Sequence, residues 1–278
     1  MPDHPSGPVP SMLYDETYFL HVCEGYEEFL SSEGAYLSAR LAEALAVAGI
    51  APGMSILDVG CGRGEILANT AQMGARAYGI DYASVAVRLS RDVAAQQPTA
   101  SEEGSGAEDV GERYPIGVYQ ASALFLPFVA DSFDRVLMLD IVEHLYPDEL
   151  DATLREARRV LKPGGRIVIH TAPNVWYDRY AYPLVRRVRV LMGQGERYPK
   201  DPRAIIPANV HVHVNEQSAL SLWRALRRHG FHTVRSWLST PPQHRQENVL
   251  FRIARWALFN LPPFRWFFER EVFAVGEK

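Results

Sequence analysis

The spacing of apolar residues changes character several times along the chain, and each change marks an element. Residues 54–59, MSILDV, form a short, largely apolar run ending at Gly60, the pattern of a strand buried on both faces of a parallel sheet. Apolar residues then recur at helical spacing over 65–72. Residues 76–80 predict a second strand and 84–95 a second helix. The short apolar form returns at 116–120 and 133–139, and the helical form at 148–161. The turn Lys162-Pro163-Gly164-Gly165 should end that helix and lead into a strand over 166–170. Strands alternating with helices in this way predict βαβ units, hence a doubly wound α/β domain on a mostly parallel sheet.

Four stretches fall outside the alternation. Residues 1–12 are Pro-rich and read as a loose tail, while 14–49 has helical spacing throughout and stops at Gly49. Together they predict a tail and helical cap over 1–52, ahead of a main domain over 53–278. Residues 97–115 are rich in Gly, Ser and Glu without periodicity and read as a surface insertion. Residues 174–215 are aromatic and Arg-rich, interrupted by Pro183, Pro199, Pro202 and Pro207, and read as a lid over a substrate. The α/β rhythm resumes with a helix over 216–229 and a strand over 231–237, and a last strand falls at 271–276. Between them, 245–268 is an insertion whose residues 249–260 form an amphipathic helix, with Arg252 and Arg255 among Leu250, Ile253 and Trp256. A basic, aromatic helix of this kind packs as a cap or rests on a membrane surface.

Composition adds limits. In 278 residues with 47% apolar content there is material for a sizeable core. No apolar run approaches the roughly 18 residues that span a bilayer. The N-terminus lacks a basic region followed by an apolar one, and Cys23 and Cys61 suggest no disulfide framework, so the cytoplasm is the expected location. The net charge of −4 hides an asymmetry. Residues 1–150 carry 7 Lys and Arg against 23 Asp and Glu, and residues 151–278 carry 22 against 10. All five tryptophans lie in the basic part. A basic face is either solvated surface or the seat of an anionic partner.

The candidate chemistry is concentrated where the first strand meets the first helix. Residues 56–64 read ILDVGCGRG, with Asp58, Gly60, Cys61, Gly62 and Gly64 in one loop. Glycines let a ligand approach the backbone closely, and the following helix N-terminus favours an anionic group. A dinucleotide-binding loop would share these features. However, Glu65 stands where its third glycine belongs, and Asp58 would repel a pyrophosphate while suiting a cationic amino group. Asp81 closes the second strand 23 residues later, where a carboxylate takes both hydroxyls of a ribose, and Tyr82 is placed to lie against an adenine. Asp81 would otherwise serve as the cap of the helix that follows.

Taken together, LDVGCGRG (57–64), GIDYA (79–83), ALFLPF (123–128), DSFDRV (131–136), Glu143-His144-Leu145 and RVLKPGGRIVI (159–169) resemble the class I S-adenosylmethionine-dependent methyltransferases. They look closest to the small-molecule branch that includes ubiquinone-biosynthesis-like enzymes. The resemblance covers about 54–174 and implies a Rossmann-like, seven-stranded sheet with its last strand antiparallel and the cofactor at the strand C-terminal ends. It implies S-adenosyl-L-methionine as cofactor, held by the loop glycines and Asp81, with Ser122, Ala123 and Leu139 alongside. Relatives often carry Asp-Ala where this chain has Ser122-Ala123, which implies weaker adenine recognition. His144 is then the best-placed base for an oxygen or nitrogen acceptor. Asn174, Trp176 and Tyr177, after the fifth strand, are expected to face the acceptor.

Alternation along NVHVHVNE would put His211 and His213 on one side of an extended segment, as half a metal site or as lid histidines. No third ligand is identifiable from sequence, so no metal is expected. The expected reaction is methyl transfer to a small molecule, at an oxygen of an anionic, lipid-linked or sugar-linked acceptor, with peripheral membrane contact. A nucleic-acid methyltransferase is the alternative, although no RNA-binding module and no Asn/Asp-Pro-Pro-Tyr/Phe signature is present. A non-catalytic cofactor-binding subunit is a further one.

Overall fold

The computed structural model describes residues 7–32, 36–96, 116–239, 256 and 261–278. The insertion expected at 97–115 and nearly all of the helix expected at 249–260 lie outside them. Seven strands form one sheet in the order β3-β2-β1-β4-β5-β7-β6. They are β1 (Ser55–Val59), β2 (Arg76–Asp81), β3 (Gly117–Gln120), β4 (Phe133–Leu139), β5 (Leu161–Thr171), β6 (His232–Ser239) and β7 (Glu271–Glu277). β1 to β5 pair in parallel, while β7 runs antiparallel to both β5 and β6.

The central strands are buried on both faces, which is why they read as continuous apolar runs. Leu57, Val136, Met138 and Ile167 point to one face, against α5 (Pro147–Val160) and α8 (Ala219–Arg228). Ile56, Leu137, Val168 and Phe273 point to the other, against α2 (Ala39–Ala48). The helices α3 (Glu65–Gln72) and α4 (Ser84–Gln96) complete the first two crossovers. From β1 the chain moves outward through β2 and β3, then returns to place β4 on the other side of β1. That reversal opens a crevice at the carboxyl ends of β1 and β4, where ligands of doubly wound sheets bind.

Three expectations need correction. The continuous helical spacing of 14–49 resolves into short pieces, among them a five-residue π-helical turn at Tyr18–Val22, α1 (Tyr26–Ser32) and α2. The apolar positions there face the cavity and core from several short segments. Gly49, at φ 58°, does end α2 as expected. The Lys162–Gly165 turn does not precede the fifth strand but lies within it. Phe133 pairs with Leu161 and Arg135 with Arg166, so the extra residues form a bulge. The extended segment expected around His211 is instead a short helix, α7 (Asn209–Val212). Between β5 and α7 the Arg-rich stretch contributes a π-helical turn, Tyr177–Ala181, and α6 (Tyr182–Leu191).

Candidate active site

The crevice is a cavity of about 1440 Å³, lined from β1, β2 and β4, from the N-terminal segment, and from the stretch between β5 and α7. On its β1 side the glycine loop uses its own amides. Gly60 and Cys61 donate N–H bonds to the Ile80 carbonyl (2.8 and 3.0 Å), Gly62 donates to Asp81 Oδ2 (3.2 Å), and Gly64 donates to the Cys61 carbonyl (2.9 Å). A phosphate would find none of these four free, which removes the anion cradle expected of such a loop. Gly64 does not line the cavity. Its φ is 90°, and a Cβ there would come 2.9 Å from the Ser90 backbone, so it serves the packing of the loop on α4.

Asp58 and Asp81 face the cavity from the ends of β1 and β2, 3% and 8% exposed. Asp81 is held from both oxygens, Oδ1 accepting from the Ala83 amide (2.9 Å) and Oδ2 from Gly62. It thus makes the local turn expected of a capping residue while still presenting its outer lone pairs to the cavity. Burial pushes its carboxyl up to about 6, with the amide bonds working against that. Asp58 has no hydrogen bond or ion pair among the described residues, and burial, reinforced by Asp81 and Glu65, pushes it up to about 8. A buried carboxylate with no cation beside it is a site for a cationic ligand group.

Cys61, Tyr82, Ser122, Ala123 and Leu139 also line the cavity. The Tyr82 hydroxyl donates to the Val9 carbonyl (3.0 Å), and Ser122 Oγ accepts from the Leu124 amide (3.2 Å). The N-terminal segment, which sequence reasoning did not connect with the site, closes the cavity with Tyr14, Tyr18 and Phe19. Arg63, inside the glycine loop, fastens it. Buried and paired with Glu65 (2.7 Å), it donates to the carbonyls of Phe19 and Glu24, both at 3.0 Å. The only sequence signal was an arginine among the loop glycines.

At the end of β4, Asp140 adopts a left-handed φ of 55° that aims its carboxylate back at the sheet. It accepts from Arg40 of α2 (2.8 Å) and from His170 Nδ1 (2.6 Å), while His170 Nε2 meets Glu271 (2.6 Å). Burial alone would lower His170, but the two carboxylates hold it up to about 10, so it is an imidazolium. Burial works against Asp140 in turn, yet Arg40 and His170 keep it well below the carboxylate range.

His144 follows in the cavity wall. Its Nδ1 lies 3.1 Å from the Val212 carbonyl and 3.0 Å from the Tyr14 hydroxyl. Because a carbonyl only accepts, Nδ1 carries the proton and Nε2 keeps a bare lone pair. Burial and the neighbouring His213 push His144 down to about 3. The two rings meet edge to face, 4.9 Å between centroids.

The remaining expected acceptor residues divide. Tyr177 and His213 line the cavity. His211 is exposed, because in a helix residues two apart point to opposite sides, whereas a strand would have aligned them. Asn174 is fully buried and does not line the cavity. Its amide donates to the carbonyls of Trp266 and Glu269 (3.0 and 3.1 Å), tying β5 to the segment before β7. Trp176 stacks on Phe267 instead of facing the cavity.

The match with known proteins falls on this same core. Residues 57–169 match the model of a methyltransferase domain. The chain is 33% identical over 141 residues to the methyltransferase GfsG of Streptomyces halstedii, covering 50% of this chain and 44% of that protein. It is 32% identical over 142 residues to a ubiquinone biosynthesis O-methyltransferase of Xanthomonas oryzae, covering 49% and 47%. The chain thus spans about half the length of the curated relatives it matches. Among solved structures, an S-adenosylmethionine-dependent methyltransferase from Archaeoglobus fulgidus superposes with a TM-score of 0.54 at 19% identity, over 90% of this chain and 99% of that one. The [4+2]-cyclase SpnF does so with 0.53 at 20%, over 86% and 79%, so the fold also carries other chemistry. Residues 57–169 thus carry a methyltransferase domain similar to S-adenosylmethionine-dependent methyltransferases, whose cofactor is S-adenosylmethionine.

Proposed function

We propose that this chain transfers a methyl group from S-adenosylmethionine to an oxygen of a small amphipathic acceptor. The observation that carries the reading is the pair of buried carboxylates, Asp58 and Asp81, at the ends of adjacent strands and facing one cavity. Asp58 suits the cofactor's ammonium group and Asp81 its ribose hydroxyls, while Tyr82, Ser122 and Ala123 suit the adenine. The bound cofactor supplies an electrophilic methyl group, so the chain's own task is mainly alignment and exclusion of water. Beyond Asp140 the cavity is walled by Leu184, Val188, Met192 and Ile206, with Arg189 and Arg270 among them. That favours an acceptor with an apolar body and an anionic group. His144 lines the cavity as a neutral imidazole and takes the acceptor proton unless a bound ion acts in its place.

Leu184 and Val188 line the cavity yet are half exposed, so they stand at its mouth, and with Leu191 and the Arg187 side chain they form an apolar rim suited to lying on an anionic membrane from which a lipid-linked acceptor enters. No helix among the described residues is long and apolar enough to cross a membrane.

Calorimetry on the purified chain should find S-adenosylhomocysteine bound and NAD not. Radiolabelled methyl transfer into a metabolite and lipid extract should then label an extractable small molecule whose KM rises with ionic strength. Label appearing only in nucleic acid, assayed in parallel, would overturn the acceptor class. NAD binding tighter than S-adenosylhomocysteine would overturn the reading itself.

A further inference from the structure

In the acceptor half of the cavity, Glu143, His144 and His213 each offer one donor atom to a common corner, and the three atoms lie within 4.8 Å of one another. We propose that this corner binds a divalent transition-metal ion, with Glu143, His144 and His213 as its protein ligands and its remaining face open to the acceptor. The proposal rests on the acceptor reading above and gives that half of the site its chemistry.

Four observations support it. The ligand-bearing segments are fastened to each other, since the Glu143 carbonyl accepts from the amides of Val214 (2.9 Å) and Asn215 (3.1 Å). Each of the first two ligands is oriented from behind. His144 Nδ1 donates to the Val212 carbonyl and leaves Nε2 as the donor atom, and Glu143 Oε2 accepts from Thr171 Oγ1 at 2.8 Å. Outer bonds of this kind set the tautomer and direction of metal ligands. His213 is only 7% exposed, yet its Nδ1 has no hydrogen-bond partner among the described residues, an uncommon and costly condition for a buried ring nitrogen. Finally, no lysine or arginine pairs with the fully buried Glu143 among the described residues. The nearby cations Arg40 and His170 are engaged by Asp140 and Glu271.

Two imidazoles and one carboxylate suit zinc, iron(II) or manganese, whereas calcium and magnesium prefer all-oxygen sites. Three protein ligands leave a position free, as in catalytic rather than structural sites. An acceptor hydroxyl facing the ion would lose its proton to water more readily, because a divalent cation favours the ionised oxygen. His144 then reaches the acceptor through the ion and is not itself the base.

The test uses the full chain stripped with a chelator, dialysed, and titrated with Zn²⁺ and with Mn²⁺ by calorimetry. Co²⁺ is added separately, because its visible absorption reports imidazole ligation. One ion per chain is expected. Affinity should fall beyond detection in His213→Ala and Glu143→Gln, and by about 10–100-fold in Thr171→Val. S-adenosylhomocysteine titrations of each variant check that the cofactor half is intact and should be unchanged. Failure to bind any of the three ions, or binding undiminished in both ligand variants, would overturn the site. If methyl transfer survived chelation with S-adenosylhomocysteine still bound, the ion would be excluded and His144 would remain as the base. Loss of S-adenosylhomocysteine binding by the wild-type chain would instead overturn the methyltransferase reading.

Discussion

Asp58 and Asp81 lie on adjacent strands with Asp58 paired across to Gly79, two residues before Asp81, and their environments differ in one respect. Asp81 is anchored by two backbone amides, whereas Asp58 has none and titrates near 8. A cationic ammonium beside Asp58 would draw that value back down, so binding at neutral pH must release a proton. S-adenosylhomocysteine affinity should therefore rise with pH between the ordinary carboxyl value of 3.8 and about 8. Calorimetry in two buffers of different ionisation heat should detect the proton, and Asp58→Asn should lose the pH dependence above about 6, the value to which Asp81 is raised. At Asp81 the expectation is plainer. Removing charged hydrogen bonds worth roughly 1.5–3 kcal/mol should weaken the cofactor about 10–150-fold in Asp81→Ala. An unchanged dissociation constant in the folded variant would mean that Asp81 only shapes the turn to Ala83.

Among the elements, the N-terminal segment shows how local pattern and final position part company. Its aromatic residues read as one amphipathic stretch, but Tyr14, Tyr18 and Phe19 arrive at the cavity from a bend and a π-helical turn. Arg63 makes this geometry possible by accepting the role of a cap for carbonyls that a regular helix would have satisfied internally. Arg63→Gln should therefore loosen the cover over the cofactor, with Arg63 standing both in the cavity wall and behind the N-terminal segment. Loss of charge-assisted bonds of roughly 1.5–3 kcal/mol would speed S-adenosylhomocysteine dissociation about tenfold or more. Stopped-flow displacement measures this directly. An unchanged off-rate would mean that the segment does not gate the cofactor.

On the scale of the whole molecule, the sheet brings ionisable groups from distant parts of the sequence into one buried network. Arg40, Asp140, His170 and Glu271 come from α2, the end of β4, β5 and β7. His170 has a folded value near 10, above its ordinary 6.5, so its contribution to stability is fully present below 6.5 and is lost as pH rises through 10. Asp58 and Glu143, both raised to about 8, act in the same direction over the lower part of that range. Asp140 is depressed and acts oppositely, losing its contribution only as pH falls below the carboxylate range. The melting temperature of the chain freed of cofactor and of metal should accordingly decline as pH is raised from about 6 to about 10. His170→Asn should flatten the upper part of that decline. A melting temperature that rose over this interval would contradict the network.

Much of the sheet was legible in the sequence because its determinants are local. Buried parallel strands are short apolar runs, and all seven observed strands overlap the stretches that the pattern marked. The glycine loop, Asp58 and Asp81 were legible for the same reason, since each sits at the end of such a strand. The insertion after β5 was not, because its residues take their positions from partners far along the chain. Asn174 became a tie to the segment before β7, and His211 and His213 parted when α7 formed in place of a strand. Glu143 was read only as the neighbour of His144. Nothing in the sequence spacing relates it to His213, seventy residues on, until the crossover from β5 lays that segment against the end of β4 and the Glu143 carbonyl takes its amide bonds. The sequence alone thus determined the sheet and the loop and carboxylates at the ends of β1 and β2, through strand-local burial and turn chemistry. The tertiary structure decided the opposite wall of the cavity, because long-range packing and backbone hydrogen bonds choose which distant side chains meet there.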